Sequence, residues 1–235
     1  MSDKVGSVSS ATHTYYGNAE ITFSSNDDEG LFVEIKTAKL RMRSTQANDA
    51  ECDRYASLFG SKRVMEKFAT GETKTREEMQ TRIKDVWAKR WHDKDPYSGL
   101  AVFKKDTDEF VGHVALGHSA TEDGKPIPGQ AEVGYLFLWG HWGQGFGTEA
   151  AQALINEYAP ATVKEGYLLD GKPLQRVVAT ARVDNEASWH IAEGVGMNRM
   201  ETKEKYGALR YHYSIELKDI IKKQKERLVC DCAFL

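Results

Sequence analysis

Apolar and polar positions alternate from Glu34 to Arg43, with Ile35, Ala38, Leu40 and Met42 as the apolar set, which predicts a half-buried strand. Ahead of it, Ile21-Thr22-Phe23 and Leu31-Phe32-Val33 flank the turn signal Asn26-Asp27-Asp28-Glu29-Gly30. These predict a hairpin, with a disordered leader over the first thirty residues as the alternative. Tyr55, Leu58 and Phe59 share one helical face behind a cap at Asn48 or Asp49. Thr75-Arg76-Glu77-Glu78 has the capping-box pattern and opens a longer helix through Met79, Ile83, Val86 and Trp87. Tyr97 to Phe103 and Glu109 to Leu116 are strand-like around the polar turn 104–108, and Thr121 to Gln130 reads as a longer polar loop. An apolar run, Glu132 to Leu138, then leads into a glycine-rich loop and an alanine-rich helix. Gln175 to Val183 is a further strand, a helix opens at Asn185 and ends near Gly194 or Gly196, and 199–206 with 210–217 form a closing hairpin around Gly207. The order predicts an α+β fold with a mixed sheet.

The loop Trp142-Gly143-Gln144-Gly145-Phe146-Gly147-Thr148-Glu149 carries the candidate chemistry. A helix start leaves backbone N–H groups unpaired under a partial positive charge, and glycines let a ligand approach the backbone closely. Together they form a phosphate site. The spacing is neither the Walker pattern, which needs a Lys after the last Gly, nor the dinucleotide fingerprint, which needs Gly-x-Gly-x-x-Gly. A plain strand-to-helix turn is the alternative.

Composition narrows the class. Of 235 residues, 40% are hydrophobic and 29% charged, the balance of a soluble globular protein, and the net charge of −3 gives no indication of a nucleic-acid partner. No apolar run reaches membrane-span length, and the start has no signal-peptide pattern, so a cytoplasmic location is expected. Three cysteines, Cys52, Cys230 and Cys232, do not make a disulfide framework. The scattered histidines have no metal-ligand spacing.

Glu132-Val133-Gly134-Tyr135 followed by Trp142-Gly-Gln-Gly-Phe-Gly-Thr-Glu-Ala150 resembles the acetyl-CoA-binding core of the GNAT superfamily of N-acetyltransferases, and within it the RimJ/RimL-like branch of ribosomal-protein N-terminal acetyltransferases. Thr37 to Arg43 resembles the first strand of that branch. Ala181-Arg182-Val183-Asp184-Asn185-Glu186-Ala187-Ser188 with Gly196-Met197 resembles its second cofactor motif. The resemblance covers roughly residues 33–217. It implies a single domain with a mostly antiparallel central sheet flanked by helices, acetyl-CoA as acyl donor, and a primary amine as acceptor. That amine is a protein N-terminus first, a small molecule second. It further implies that backbone groups of Leu136, Phe137 and Leu138 pair with the pantetheine arm. The amides of Gln144, Gly145, Phe146, Gly147 and Thr148 then hold the pyrophosphate, and Asn185 contacts the pantetheine. Asn185 is equally suited to be a helix cap. Trp142 replaces an Arg or Gln common elsewhere in the superfamily.

An acceptor ammonium must lose a proton before it attacks a thioester. Glu132 is the first candidate base, directly or through a water, with a solvated strand-end residue as the alternative; His113 and His118 are weaker candidates. The tyrosine that the superfamily places seven residues after this Asn, to protonate the leaving thiolate, is Ala192 here. Ser188 resembles the serine that takes this part in some RimL-like enzymes. In the family the two early helices cover the acceptor side, so residues 62–72 are where specificity is expected. The reading divides the chain into an N-terminal extension (1–30), an acetyltransferase domain (31–217) and a basic tail (218–235). The last four residues, from Cys232, fit a C-a-a-X prenylation box, which implies membrane contact. A homodimer is a further expectation. The competing reading is a catalytically inactive CoA-binding or partner-binding module, membrane-tethered if Cys232 is prenylated.

Overall fold

The structure, a computed structural model, describes residues 11–232, with side chains as far as Glu226 except that of Tyr16. Of the prenylation box, the Cys232 side chain and residues 233–235 therefore fall outside what is described. β1 (Ala11–Tyr16), β2 (Glu20–Asn26) and β3 (Gly30–Lys36) come first. β2 and β3 pair antiparallel, with Phe23 opposite Val33 and Asn26 opposite Gly30, so residues 21–33 form a hairpin. Gly30 sits at φ +82°, and a Cβ there would lie 2.5 Å from His92 Cα; both the turn and the packing require glycine. Phe23 stacks on Tyr158 at 5.7 Å between ring centroids, so β2 shares the main core rather than standing apart as an extension.

The single strand expected over 34–43 is two. β3 ends at Lys36 and β4 (Leu40–Ser44) returns beside it. Thr37 makes the turn: its N–H donates to the Leu40 carbonyl at 2.9 Å and its hydroxyl accepts from the Leu40 N–H at 3.0 Å. Within one strand, residues facing one side keep the same parity. The apolar set changes from Ile35 to Ala38, Leu40 and Met42, and that change of parity is the turn.

α1 (Asp49–Phe59) is capped by Asn48, whose Oδ1 accepts from the Glu51 N–H at 2.9 Å. α2 (Lys62–Met65) follows, then α3 (Arg76–Arg82) with its capping box formed by Thr75 and Glu78. A π turn over Ile83–Ala88 continues into α4 (Lys89–His92). β5 (Gly99–Lys104), β6 (Phe110–Ala120) and β7 (Pro126–Phe137) form an antiparallel meander. The loop expected over 121–130 is shorter. Thr121 N–H donates to Lys125 O at 2.9 Å, and Pro126 and Pro128 lie within β7. Proline is tolerated there because β7 gains its second neighbour only from Gln130 onward.

α5 (Phe146–Ala153) passes through a π turn, Leu154–Tyr158, into α6 (Ala159–Lys164). A short hairpin, β8 (Leu168–Leu169) and β9 (Lys172–Pro173), was not anticipated from the periodicity. Its turn is Asp170-Gly171, both at positive φ, the chemistry of a tight two-residue hairpin. β10 (Arg176–Arg182), α7 (Glu186–Gly194), β11 (Asn198–Lys205), β12 (Ala208–Glu216) and α8 (Leu217–Cys232) complete the chain.

Ten strands make one sheet in the order β1-β2-β3-β4-β5-β6-β7-β10-β12-β11, antiparallel throughout except between β7 and β10. The main core joins Val33, Val102, Val133, Val177 and Ile215 to Leu154, Tyr158 and Ile220 of the later helices. A second cluster packs Tyr55, Leu58, Met79, Ile83 and Trp87 against Ala101, Phe103 and Leu136. The fold is the expected α+β domain with a mixed, mostly antiparallel sheet. No helix among the described residues is long and apolar enough to cross a membrane.

Candidate active site

The one parallel junction does not hold along its length. β10 pairs with β7 at Arg176–Gln130, Val177–Ala131 and Val178–Glu132, and the pairing stops there. Beyond Glu132 the strands diverge, so Val133 to Phe137 has β6 on one side and a gap on the other. Antiparallel pairing sends the backbone groups of successive residues to alternate edges. Leu138 N–H donates to Val111 O at 2.9 Å, and Leu136 O faces Gly112, where a Cβ would come within 2.3 Å of it. Leu136 and Leu138 are thus committed to the β6 side. Of the three residues expected to pair with a pantetheine arm, Phe137 alone turns its N–H to the gap, preceded there by Val133 and Tyr135.

The glycine loop sits at the end of this gap. Gly143 and Gly145 have φ of +74° and +81°, and a Cβ on either would meet nothing within 4 Å. These two glycines make the turn and leave open space over it. Gly147 is different: a Cβ would lie 2.8 Å from Ile191 Cδ1, so its small size lets α5 approach α7. Helical bonding begins with Glu149 N–H to Gly145 O at 3.0 Å, which leaves the amides of Phe146, Gly147 and Thr148 as the unpaired first turn. Gln144 folds inward, donating from Nε2 to Gly140 O at 3.2 Å. Trp142 Nε1 donates to Phe137 O at 2.8 Å and ties the loop to the strand end. Open space above two left-handed glycines and a free helix N-terminus suit a pyrophosphate.

Asn185 is the N-cap of α7, its Oδ1 accepting from the Ser188 N–H at 3.4 Å. Ser188 faces β7 across the gap. Tyr135 donates its hydroxyl to Ser188 O at 2.9 Å and lies 3.2 Å from Ser188 Oγ. Burial pushes the Tyr135 phenol up to about 12, partly offset by its bond to Ser188. Ala192 is buried in the main core, so no polar group comes from that position. Tyr135 is a further site residue: its motif was visible in the sequence, its contact with a residue 53 positions away was not.

Glu132 lies at the point of divergence, and its Oε1 is 3.2 Å from Lys205 Nζ. His212 stands beside the pair. Burial holds its imidazole below the usual range, with Lys205 adding to that and Glu132 opposing it; its Nε2 is buried without a hydrogen-bond partner. Neither Lys205 nor His212 carried a motif. The weaker base candidates lie elsewhere. His113 is packed under Trp87 at 4.5 Å and bonded to the Tyr55 hydroxyl at 2.9 Å, and burial lowers it to about 3. His118 is held between Asp95 and Asp170.

The segment expected to govern specificity lies against this site. Arg182 Nη1 donates to Glu66 O at 3.1 Å, Lys67 Nζ to Asp184 O at 2.5 Å, and Arg210 Nη2 to Ala69 O at 2.6 Å. Ala69 is at φ +45°, a strained conformation for a residue with a Cβ. Arg210 also donates from Nε to Lys205 O at 3.1 Å. One buried guanidinium therefore joins residues 66–71 to the β11–β12 turn. At the other end Arg63 stacks 3.7 Å above the exposed Trp139 ring.

The chain is similar to known proteins in sequence and in fold. The sequence model of the acetyltransferase (GNAT) domain matches residues 39–198. The uncharacterized protein YkkB of Bacillus subtilis is 25% identical over 174 residues, covering 74% of this chain and 90% of that protein. The ribosomal-protein-serine acetyltransferase of Escherichia coli is 33% identical over 91 residues, 39% of this chain and 41% of the relative. Among solved structures, RimL, a ribosomal L7/L12 alpha-N-protein acetyltransferase in complex with coenzyme A, superposes with a TM-score of 0.58 at 16% identity, covering 77% of this chain and 95% of that one.

Proposed function

The chain belongs to the GNAT acetyltransferase family, and from that membership we propose that it is an N-acetyltransferase of the RimJ/RimL-like branch, moving an acetyl group from acetyl-CoA to a primary amine. Acetyl-CoA is the acyl donor, a substrate consumed in each turnover, and it supplies the activated thioester. The observation that carries the reading is the divergence of β7 and β10 immediately before a glycine loop with open space above it.

The residues divide the work. The amides of Phe146, Gly147 and Thr148 hold the pyrophosphate, with Gly143 and Gly145 shaping the loop. The gap-facing N–H of Phe137 receives the pantetheine arm as an added strand would, and Asn185 borders it while capping α7. Glu132 accepts the proton of the acceptor ammonium, so that the free amine attacks. Across the same gap the Tyr135 hydroxyl, committed to the Ser188 carbonyl, holds Ser188 in place, and the Ser188 hydroxyl donates a hydrogen bond to the sulfur as charge develops there. A phenol reaching from β7 thereby supports the side of the site left apolar by Ala192. The acceptor enters over the face bounded by residues 66–71 and the β11–β12 turn.

The order of acceptors stays as the resemblance implies, a protein N-terminus before a small amine. The E. coli relative and the RimL structure are the support for that order. The non-catalytic alternative gives no reason for a base, an ammonium and a hydroxyl pair around one gap. Thiol release from acetyl-CoA, screened over N-terminal peptides and polyamines with wild type and Glu132→Gln, tests the activity. Turnover lost in the variant with acetyl-CoA binding retained is the expected result; binding without turnover of any amine by wild type would favour the non-catalytic module.

A further inference from the structure

Glu132 already holds a primary ammonium, and it is the protein's own. Lys205 ends β11 at the turn Lys205-Tyr206-Gly207-Ala208, with Tyr206 at φ +56° and Gly207 at φ +72°, and its Nζ lies 3.2 Å from Glu132 Oε1. Arg210 fixes the lysine's backbone by donating to its carbonyl at 3.1 Å. Both partners are about one-third exposed, so the contact lies at the open edge of the site and not in the core. A primary amine hydrogen-bonded to the base, beside the gap that receives the donor, meets the requirements placed on an acceptor.

We propose that Lys205 Nζ is a site of intramolecular acetylation, an internal acceptor for the enzyme's own acetyl-CoA. The inference rests on the function proposed above. Glu132 takes one proton from the Lys205 ammonium, and the free amine attacks the thioester carbonyl. The C–N bond forms and the C–S bond breaks. The sulfur leaves as thiolate and is protonated from the Tyr135–Ser188 side or by solvent, while the second proton on nitrogen is lost to solvent. The products are an N-acetyl-lysine, free coenzyme A and one proton. An acetylated Lys205 is neutral, so its ion pair with Glu132 is lost and the carboxylate is released to an external amine.

Lys203, two residues earlier, is the internal control. It pairs with Glu201 at 2.7 Å on the exposed edge strand, and among the described residues no hydrogen bond or ion pair joins it to Glu132. Surface reactivity with acetyl-CoA would label both lysines; chemistry assisted by Glu132 labels one.

The experiment is incubation of the full chain with acetyl-CoA carrying an isotopically labelled acetyl group, followed by peptide mapping at several protein concentrations. The same preparations are titrated calorimetrically with acetyl-CoA. We expect Lys205 to be labelled at a rate independent of protein concentration and at least about tenfold faster than Lys203, a modest share of what a positioned base contributes. Lys205→Arg should bind acetyl-CoA as wild type does and lose the label at that position. Glu132→Gln should bind it and label Lys205 no faster than Lys203. Equal labelling of the two lysines, or a rate proportional to protein concentration, overturns the inference. If wild type binds acetyl-CoA and acetylates an external amine while Lys205 stays unmodified, the inference falls alone. If the folded protein does not bind acetyl-CoA, it falls together with the proposed function.

Discussion

At the scale of single residues, the site depends on groups whose roles differ even where their identities look alike. Three glycines spaced by two read from sequence as one phosphate cradle. Gly143 and Gly145 shape the loop through positive φ, whereas Gly147 is small to admit Ile191. Alternation also separates Phe137, which faces the gap, from Leu136 and Leu138, which face β6. Neither distinction follows from a local pattern, because one needs a helix partner and the other the hydrogen-bonding phase of the neighbouring strand. Glu132 was legible as a candidate base; its ion pair with Lys205 was not, since 73 residues separate them. Replacing Glu132 by Gln should lower kcat by roughly 10²–10⁴, the range for removal of a general base, with acetyl-CoA affinity unchanged. Tyr135→Phe removes the hydroxyl that meets Ser188 and keeps the ring in the core. A fall in kcat of about tenfold or more, with little change in acceptor KM, is expected from loosening the Ser188 hydroxyl that bonds the sulfur as charge develops. Unaltered kcat in this variant would remove the hydroxyl pair from the mechanism.

At the scale of elements, long periodic segments and caps were readable. Asn48, Thr75 with Glu78, and Asn185 each cap the helix that follows, because the side-chain oxygen and the orphan N–H are neighbours in the chain. The turn at Thr37 and the start of β7 at Pro126 were harder: one lies inside an apolar alternation, and the other gives prolines to a strand with one partner. The arginine latch over residues 66–71 was invisible to pattern, since Arg210 reaches Ala69 across 141 positions. Arg210→Gln should release that segment, raising acceptor KM several-fold while acetyl-CoA affinity holds. Losing the buried guanidinium's hydrogen bonds should cost roughly 1–3 kcal/mol of stability. Melting temperature, calorimetry and acceptor kinetics on one preparation separate these effects, and an unchanged acceptor KM contradicts the latch.

A second element-scale device is the His118 clamp. His118 Nε2 lies 2.6 Å from Asp95 Oδ2 and Nδ1 lies 3.0 Å from Asp170 Oδ1, which joins β6 to the segment after α4 and to the β8–β9 turn. Both ring nitrogens donate only in the cation. The hydrogen bond to Asp95 is the main cause of the raised pKa, against burial and the nearby Arg90. A raised folded-state value means that the stabilisation is fully present below the ordinary imidazole pKa of about 6.5 and is lost as pH rises through the raised value. The gap in melting temperature between wild type and His118→Gln should be widest near about pH 5.5 and narrow towards alkaline pH. A gap independent of pH would show that the clamp does not titrate in this way.

At the scale of the whole molecule, one ten-stranded sheet supports everything that the site requires. The sequence showed the α+β class and the strand-loop-helix unit, because each is local. It did not show that β7 and β10 are parallel neighbours for only three residues, which depends on how distant segments dock. That short pairing creates the gap and is therefore the feature on which the function turns. The measurement that tests it most directly is calorimetric titration of acetyl-CoA into wild type and a Gly145→Trp variant, with melting curves to establish that both are folded. Saturable one-to-one binding by wild type, abolished in the folded variant whose indole fills the space above the loop, is the result predicted here. No binding by folded wild type, or equal binding by both proteins, would contradict it.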